Sequence, residues 1–457
     1  MKFKTTLVLL AIFLAVFAFI FIFENKLKTI SSADEKLVDL SLEDIQSIIL
    51  NNNGTIISFT KDEDGEWTIT TPLKAKGDKY EVGRLAEDFS DLKIERIVEE
   101  HASDLEKYGI PEKEITLVFK SGKNPVKILI GMENPLDHTL FAKRDDEERV
   151  VLIPGHLKSL LDKDVFGFRQ KDIFKFQTDD VNAITLKAKN IQWSAVKKDE
   201  EWFLEKPVYS LAKNTKLSDI LYSLSNIKAK EFISEEKKNE DLIKYGLHKP
   251  QYQVKLSMPL KNQEVIFFLQ KEKDKVYATT SVSPKIIAID ETILTDLEKE
   301  VSDLRENKVA NFYTWRVKKL RLIRGDLDFT VVKDDENNWQ FESLTSGKIA
   351  DNEKIETFIR KIETLETSDF IDPPLKIENY GLDHPKGQIQ IWTDDNEGNI
   401  KEVRILIGSE NTDQKKVIMK NSRFDYLFEV NSDFLEDFPK ALDDWEKKQE
   451  EKAEDSK

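Results

Sequence analysis

The residue types that could build an active site are all present except cysteine, but their spacing disperses them. Five histidines, His101, His138, His156, His248 and His384, could ligate a metal or move a proton. A zinc-binding helix needs two of them at i and i+4, as in H-E-x-x-H, so that both rings reach one ion. No pair here has that spacing. His248 and His384 fall inside Tyr-Gly-Leu-x-x-Pro turns, a setting that suggests ending a helix rather than ligation. Asp62-Glu63-Asp64-Gly65 resembles part of a calcium loop, yet Thr60 would take its first ligand position and Thr71 its last, where a bidentate glutamate is needed. That stretch reads as a hairpin turn. Ser-x-x-Lys, a serine-nucleophile motif, recurs by chance in so lysine-rich a chain, among other places at Ser58–Lys61, Ser194–Lys197 and Ser225–Lys228. Its chemistry needs a helix and two companion motifs, and two of these three lie on predicted strands or loops. Neither G-x-x-x-x-G-K-[ST] nor G-x-G-x-x-G occurs, so no phosphate cradle or dinucleotide site is recognisable. With 86 acidic residues, no carboxylate pair can be singled out for acid–base work. No catalytic, cofactor-binding or metal-ligating residue is nominated, no cofactor is expected, and the chain reads as non-enzymatic.

Composition narrows the partners. The chain has 457 residues, which suggests about three domains. A formal charge of −16 argues against wrapping nucleic-acid phosphates, which takes clustered Lys and Arg. The absence of cysteine excludes disulfides, thiolate metal sites, iron–sulfur clusters and thiol nucleophiles together. It leaves the compartment open, because such a chain suits oxidising and reducing surroundings alike.

Thr5 to Phe23 carries no charge and is rich in Leu, Ile, Val, Phe and Ala. As a helix it would reach roughly 28 Å, close to the thickness of a bilayer core. A cleaved signal peptide would have a shorter apolar run ending in small residues, whereas this one ends Phe19-Ile20-Phe21-Ile22-Phe23. Residues 5–23 are therefore expected to be an uncleaved anchor in the inner membrane, with a cleaved signal or a buried soluble helix as the alternatives. Lys2 and Lys4 favour a cytoplasmic N-terminus and export of the bulk, although Lys26, Lys28 and Lys36 nearly balance them.

Three copies of one unit, with a period near 136 residues, follow this run. The first marker of each is a turn followed by a tryptophan: Trp67, Trp202 and Trp339. A helix stripe comes next, with apolar residues three and four apart, such as Val82, Leu85 and Phe89, and with Asp78, Asn214 and Asp351 as expected N-caps. Tyr108-Gly109, Tyr245-Gly246 and Tyr380-Gly381 each precede an apolar residue and a proline. There glycine can take the left-handed conformation that closes a helix. Leu129-Ile130-Gly131 recurs as Leu406-Ile407-Gly408, but in the middle copy it has become Phe268-Leu269-Gln270. The recurrence of the tryptophans and tyrosines argues for core packing. Trp193, Trp315 and Trp392 do not recur in register and are the better candidates for a surface contact.

Short alternating runs around these markers read as strands. The expected fold class is α+β, one N-terminal transmembrane helix followed by three tandem α+β modules with mostly antiparallel sheets. The expected limits are a short N-terminus at 1–4, the anchor at 5–23, a linker at 24–36, modules at 37–174, 175–311 and 312–442, and a charged tail at 443–457, frayed or forming a docking helix.

An apolar anchor followed by units carrying W-x-[ILF], a capped helix, Y-G-[IL]-x-x-P and L-I-G resembles the bacterial "domain of unknown function 4340" family. The resemblance covers nearly everything from Leu37 to Phe438, and is closest at Leu105–Pro111, Leu242–Pro250 and Ile377–Pro385. It implies an envelope protein associated with ABC-type transport systems of the gliding-auxiliary kind, and it implies no catalytic residues. The expected function is that of an accessory or adaptor subunit, with an ABC transporter permease or an associated auxiliary subunit as partner and the bulk of the chain outside the cytoplasmic membrane. The alternatives are an extracytoplasmic binding module for a lipid, glycan or peptide and, more remotely, an envelope hydrolase. Any small-molecule ligand is left unidentified.

Overall fold

The computed structural model describes residues 35–119, 124–342, 348–394 and 399–447. The apolar run at 5–23 lies outside them, and no helix among the described residues is long and apolar enough to cross a membrane. The chain divides into two compact units, one ending at Lys171 and the other starting at Asp172. The first holds one sheet and the second holds two.

Module 1 opens as a meander of β1 (Ile45–Asn52), β2 (Thr55–Lys61), β3 (Trp67–Thr71) and the short β4 (Ala75–Lys76). Helix α1 (Lys79–Ser90) and strand β5 (Arg96–Glu99) follow. A second meander runs through β6 (Lys113–Phe119), β7 (Val126–Glu133), β8 (Leu140–Arg144) and β9 (Val150–Ile153). β6 returns to pair antiparallel with β1, joining the meanders into one nine-stranded sheet ordered β4-β3-β2-β1-β6-β7-β8-β9-β5. Strict alternation in β6 sends Ile115 and Leu117 inward, where they share a core with Val82, Leu85 and Phe89 of α1.

The second copy repeats that order. Its strands are β10 (Ala183–Ala188), β11 (Ile191–Lys198), β12 (Glu201–Lys206) and β13 (Ser210–Leu211), then β14 (Glu231–Ser234), β15 (Tyr252–Met258), β16 (Gln263–Glu272), β17 (Lys275–Thr280) and β18 (Ile286–Ile289). Helix α2 (Asn214–Ser225) stands where α1 does. Module 3 has eight described strands, β19 (Val317–Arg324), β20 (Leu327–Lys333) and β21 (Trp339–Phe341), then β22 (Asp369–Ile371), β23 (Gly387–Asp394), β24 (Ile400–Asn411), β25 (Lys416–Asn421) and β26 (Leu427–Asn431), with helix α3 (Asn352–Glu363).

Asp78 caps α1 by accepting from the Tyr80 and Glu81 amides at 3.0 and 3.2 Å, and Asp351 caps α3 in the same way. The sequence reading of Asn214 as a cap is corrected by one residue. Lys213 holds the cap position without a side-chain bond, and the Asn214 amide oxygen instead accepts from the Trp202 N–H at 3.0 Å. Asn352 does the same for Trp339 at 2.7 Å, so this asparagine ties the helix start to the tryptophan strand.

Isolated bridges mark where each module starts, at Lys36↔Lys93, Asp172↔Lys228 and Lys308↔Glu366, and where each finishes, at Gly77↔Arg169, Ala212↔Arg305 and Ala350↔Glu446. Ile173 and Phe174 pack in the core of module 2, and Val309 and Ala310 in that of module 3, a few residues across the limits read from the sequence. Trp445 packs edge-on to Phe329 and Phe358 at 5.2 and 5.3 Å, so the first turn of the expected charged tail belongs to the core.

Modules 2 and 3 share a built contact. Phe203 and Leu211 of module 2 belong to the core of module 3. Arg305, 5% exposed, lies 3.7 Å from the Phe370 ring and 4.9 Å from that of Tyr426, and pairs with both oxygens of Asp372 at 2.8 and 2.9 Å. A planar guanidinium suits this place, because its faces stack while its edge bonds a carboxylate. At the ladder positions of Phe203 and Leu211, module 1 has Thr68 and Lys76, and module 3 has Gln340 and Ile349. Phe203→Thr, the residue module 1 carries, should therefore destabilise the second unit by about 3 kcal/mol and leave the transition of the first unit in place. Differential scanning calorimetry of the full chain checks this, and an unchanged second transition would contradict it.

Candidate functional site

The dispersed histidines stay dispersed. His101 pairs with Glu148 at 2.6 Å, His138 with Glu133 at 2.6 Å, and His156, His248 and His384 are exposed. Lys158 reaches the same Glu133 at 2.6 Å, and this contact, with that of His138, lowers the carboxyl's pKa. Among the described residues no group of three or more His, Asp or Glu is placed to hold a metal ion. Ser58 and Lys61 lie three apart on β2, and Ser194 and Lys197 three apart on β11, so each pair points to opposite faces. Ser225 donates to the Tyr222 carbonyl at 2.9 Å at the end of α2. Asp62 accepts from the Glu66 amide at 2.8 Å while its carbonyl accepts from Gly65 at 3.1 Å, the geometry of a hairpin turn.

The recurring residues are structural. Trp67, Trp202 and Trp339 are buried. Gly109, Gly246 and Gly381 adopt φ of 63°, 69° and 63°, and the next residues, Ile110, Leu247 and Leu382, fold inward. The third marker exists because of the second. A Cβ on Gly131 would lie 2.1 Å from the Tyr108 carbonyl oxygen, and one on Gly408 would lie 2.3 Å from that of Tyr380. Only glycine lets strand and turn approach so closely. In module 2 Gln270 takes this place, and its side-chain oxygen accepts from the Gln251 amide at 3.1 Å, filling the wider gap.

The three non-recurring tryptophans separate. Trp193 is fully buried, contrary to the surface role expected for it, because its ladder position is the inward one held by Ile57 in module 1 and Phe329 in module 3. Trp315 is 66% exposed and stacks near Tyr313 at 6.1 Å, with the Arg316 guanidinium 4.6 Å from its ring. Trp392 is half-buried on the outer face of the third sheet, with the Lys319 ammonium 5.2 Å from its ring.

Around Trp392 the outer face is crowded with paired charges. Arg321 grips Asp328 at 2.7 and 2.9 Å, which lowers the Asp328 pKa, and Lys319 holds Glu342 at 2.6 and 2.8 Å. Gln390 donates to Glu402 at 3.0 Å, and Arg404 binds the same oxygen at 2.9 Å. A cleft of about 520 Å³ opens there, lined also by Phe329, Thr330, Phe341 and Leu442, with Glu402 and Arg404 on the neighbouring strand outside its lining. Module 3 also carries a more open polar groove of about 840 Å³ along Arg324, Glu410 and Lys415. A cavity of about 410 Å³ in module 2 lies beside Lys230 and Asp290, where the lysine holds the carboxyl down to about 2.

The model of the domain of unknown function family (DUF4340) matches residues 67–238 and again 202–385. This chain belongs to that family. Both DUF4340 matches start at a marker tryptophan and run on past the next module's start, so the family unit is offset from the structural one. No curated protein matches the chain. Two solved structures are similar over most of its length. A DNA polymerase sliding clamp from Pseudomonas aeruginosa, determined with ligand, is 8% identical over 89% of this chain and 95% of the clamp, with a TM-score of 0.15. The DNA polymerase III subunit beta from the same organism is 8% identical over 86% and 94%, also with a TM-score of 0.15. Likeness at that level carries no argument about this DUF4340 protein.

Lys319, Arg321, Asp328 and Gln390 escaped the sequence reading, since a charged or amide residue on a strand looks like ordinary solvated surface. Comparing the three copies position by position along the ladders would have found them. For the glycine contact, Gly131→Ala and Gly408→Ala should each cost about 1–3 kcal/mol by overpacking, while Gln270→Ala should cost less. Urea unfolding of the full chain measures all three, and glycine variants as stable as the parent would refute the close-approach account.

Proposed function

We propose that this DUF4340 protein is a non-enzymatic, single-pass envelope protein that serves as an accessory or adaptor subunit of an ABC-type transport system. The observation that carries the reading is the three-fold module array, whose recurring tryptophans, glycines and capping residues are taken up by folding and leave the outer faces free to diverge. The uncharged run at 5–23 supports an anchor in the cytoplasmic membrane, and Lys2 and Lys4 support placing the modules on its outer side. Partnership with a transporter permease or auxiliary subunit rests on the family resemblance. A formal charge of −16 argues against a nucleic-acid partner.

In-cell crosslinking of the full-length protein, followed by solubilisation, pull-down and mass spectrometry, tests both parts. The expected result is retention in the membrane fraction after an alkaline wash, with permease subunits among the crosslinked partners. Release by the wash would overturn the anchor, and crosslinks lacking any transporter component would overturn the adaptor role.

A further inference from the structure

The three sheets are copies of one another, so matching ladder positions show where one copy departs from the pattern. At the centre of module 3, Lys319 lies opposite Trp392 and Arg321 opposite Gln390. Module 2 has Ala183 opposite Ser257 and Thr185 opposite Lys255 at these places. Module 1 has Ser47 opposite Val118 and Ile49 opposite Thr116. Asp328 replaces Gln192 and Ile56 on the neighbouring strand. The inner face shows no such departure, for Leu320, Leu322, Ile389 and Ile391 fill the core as their counterparts do. Folding therefore accounts for the inner face and leaves five coordinated outer changes unexplained. Together they form the walls of the 520 Å³ cleft, a size within the usual range for small-ligand sites.

Its chemistry selects a ligand class. Lys319, Arg321 and Arg404 balance Glu342, Asp328 and Glu402, each held in a pair, so the face offers no net field to an anion or a cation. It offers instead alternating donors and acceptors beside an aromatic ring, the surface that a molecule with hydroxyl edges and an apolar face requires. Gln390 borders the cleft but is only 6% exposed; its amide nitrogen donates to Glu402, and its side-chain oxygen, itself buried, has no hydrogen-bond partner among the described residues. A peptide adding as a strand would need a sheet edge, whereas these residues stand on the face of central strands.

We propose that the outer-face cleft of module 3 binds a neutral saccharide, with a sugar ring against Trp392 and its hydroxyls on the Arg321–Asp328 and Lys319–Glu342 pairs. The proposal does not depend on a transport partner. It is tested by titrating the full-length protein, held in a zwitterionic detergent without a sugar headgroup, with maltotriose, cellotriose and triacetylchitotriose, using trigalacturonate as the anionic control. Calorimetry and tryptophan fluorescence should show saturable binding of at least one neutral trisaccharide. Trp392→Ser, the residue module 2 carries, should weaken that binding at least tenfold with an unchanged thermal midpoint. Should that variant lower the midpoint, Asp328→Gln, again the module 2 residue, replaces it with the same expected loss. No binding of any neutral trisaccharide, binding of trigalacturonate alone, or undiminished affinity in the stable variant would overturn the proposal.

Discussion

Each module depends on one pairing made far along the chain. β1 finds β6 only after the helix and the β5 segment have intervened, and the contact is repeated by β10 with β15 and by β19 with β23. Without it a module would be two separate meanders, each exposing one apolar face. With it, Leu50 lies opposite Ile115, Leu186 opposite Val254 and Leu322 opposite Ile389, at matching positions of three cores. A one-residue slip would turn every one of these side chains to the outer face. The helix supports this join, since Val82, Leu85 and Phe89 share one core with Ile48 and Leu50 of the first meander and Ile115 and Leu117 of the second.

Once the inner face is specified, the outer face is open to change, and the three copies have changed differently. Module 2 has acquired Phe203 and Leu211, which reach into the next core and make modules 2 and 3 one compact unit. Module 3 has acquired the paired charges around Trp392, where module 1 has the uncharged Ser47, Ile49, Ile56, Thr116 and Val118. Outer-face changes such as those at Lys319 and Arg321 cost little stability, since they disturb neither packing nor ladder bonds, whereas Phe203 and Leu211 have become part of a core. A repeat can thus keep one folding solution while its copies take separate roles.

Much of the fold was legible because its signals are local. Asp78 and Asp351 sit where a cap must sit, Gly109 and Gly381 where a left-handed residue must sit, and the alternation in Lys113–Phe119 marks a strand on its own. What escaped was non-local. The strand Ala75–Lys76 is too short to have a period, and β5 is recognisable only by its partner β9. Trp193 looked exceptional until its ladder position matched Ile57 and Phe329. Trp445 stands in a charged tail, and its burial follows from the aromatic cluster of Phe329 and Phe358 that receives it. The candidate cleft was invisible for the same reason, because register is set by the long-range pairing and not by any one strand.

Hydrogen exchange of the full chain, followed by mass spectrometry of peptides, tests the role of the central pairing most directly. If it organises each module, the slowest-exchanging peptides in all three will come from β1 and β6, β10 and β15, and β19 and β23. Edge strands β5, β14 and β22 should exchange faster. Protection greatest in the helices or the edge strands, with the central pairs opening first, would contradict the account.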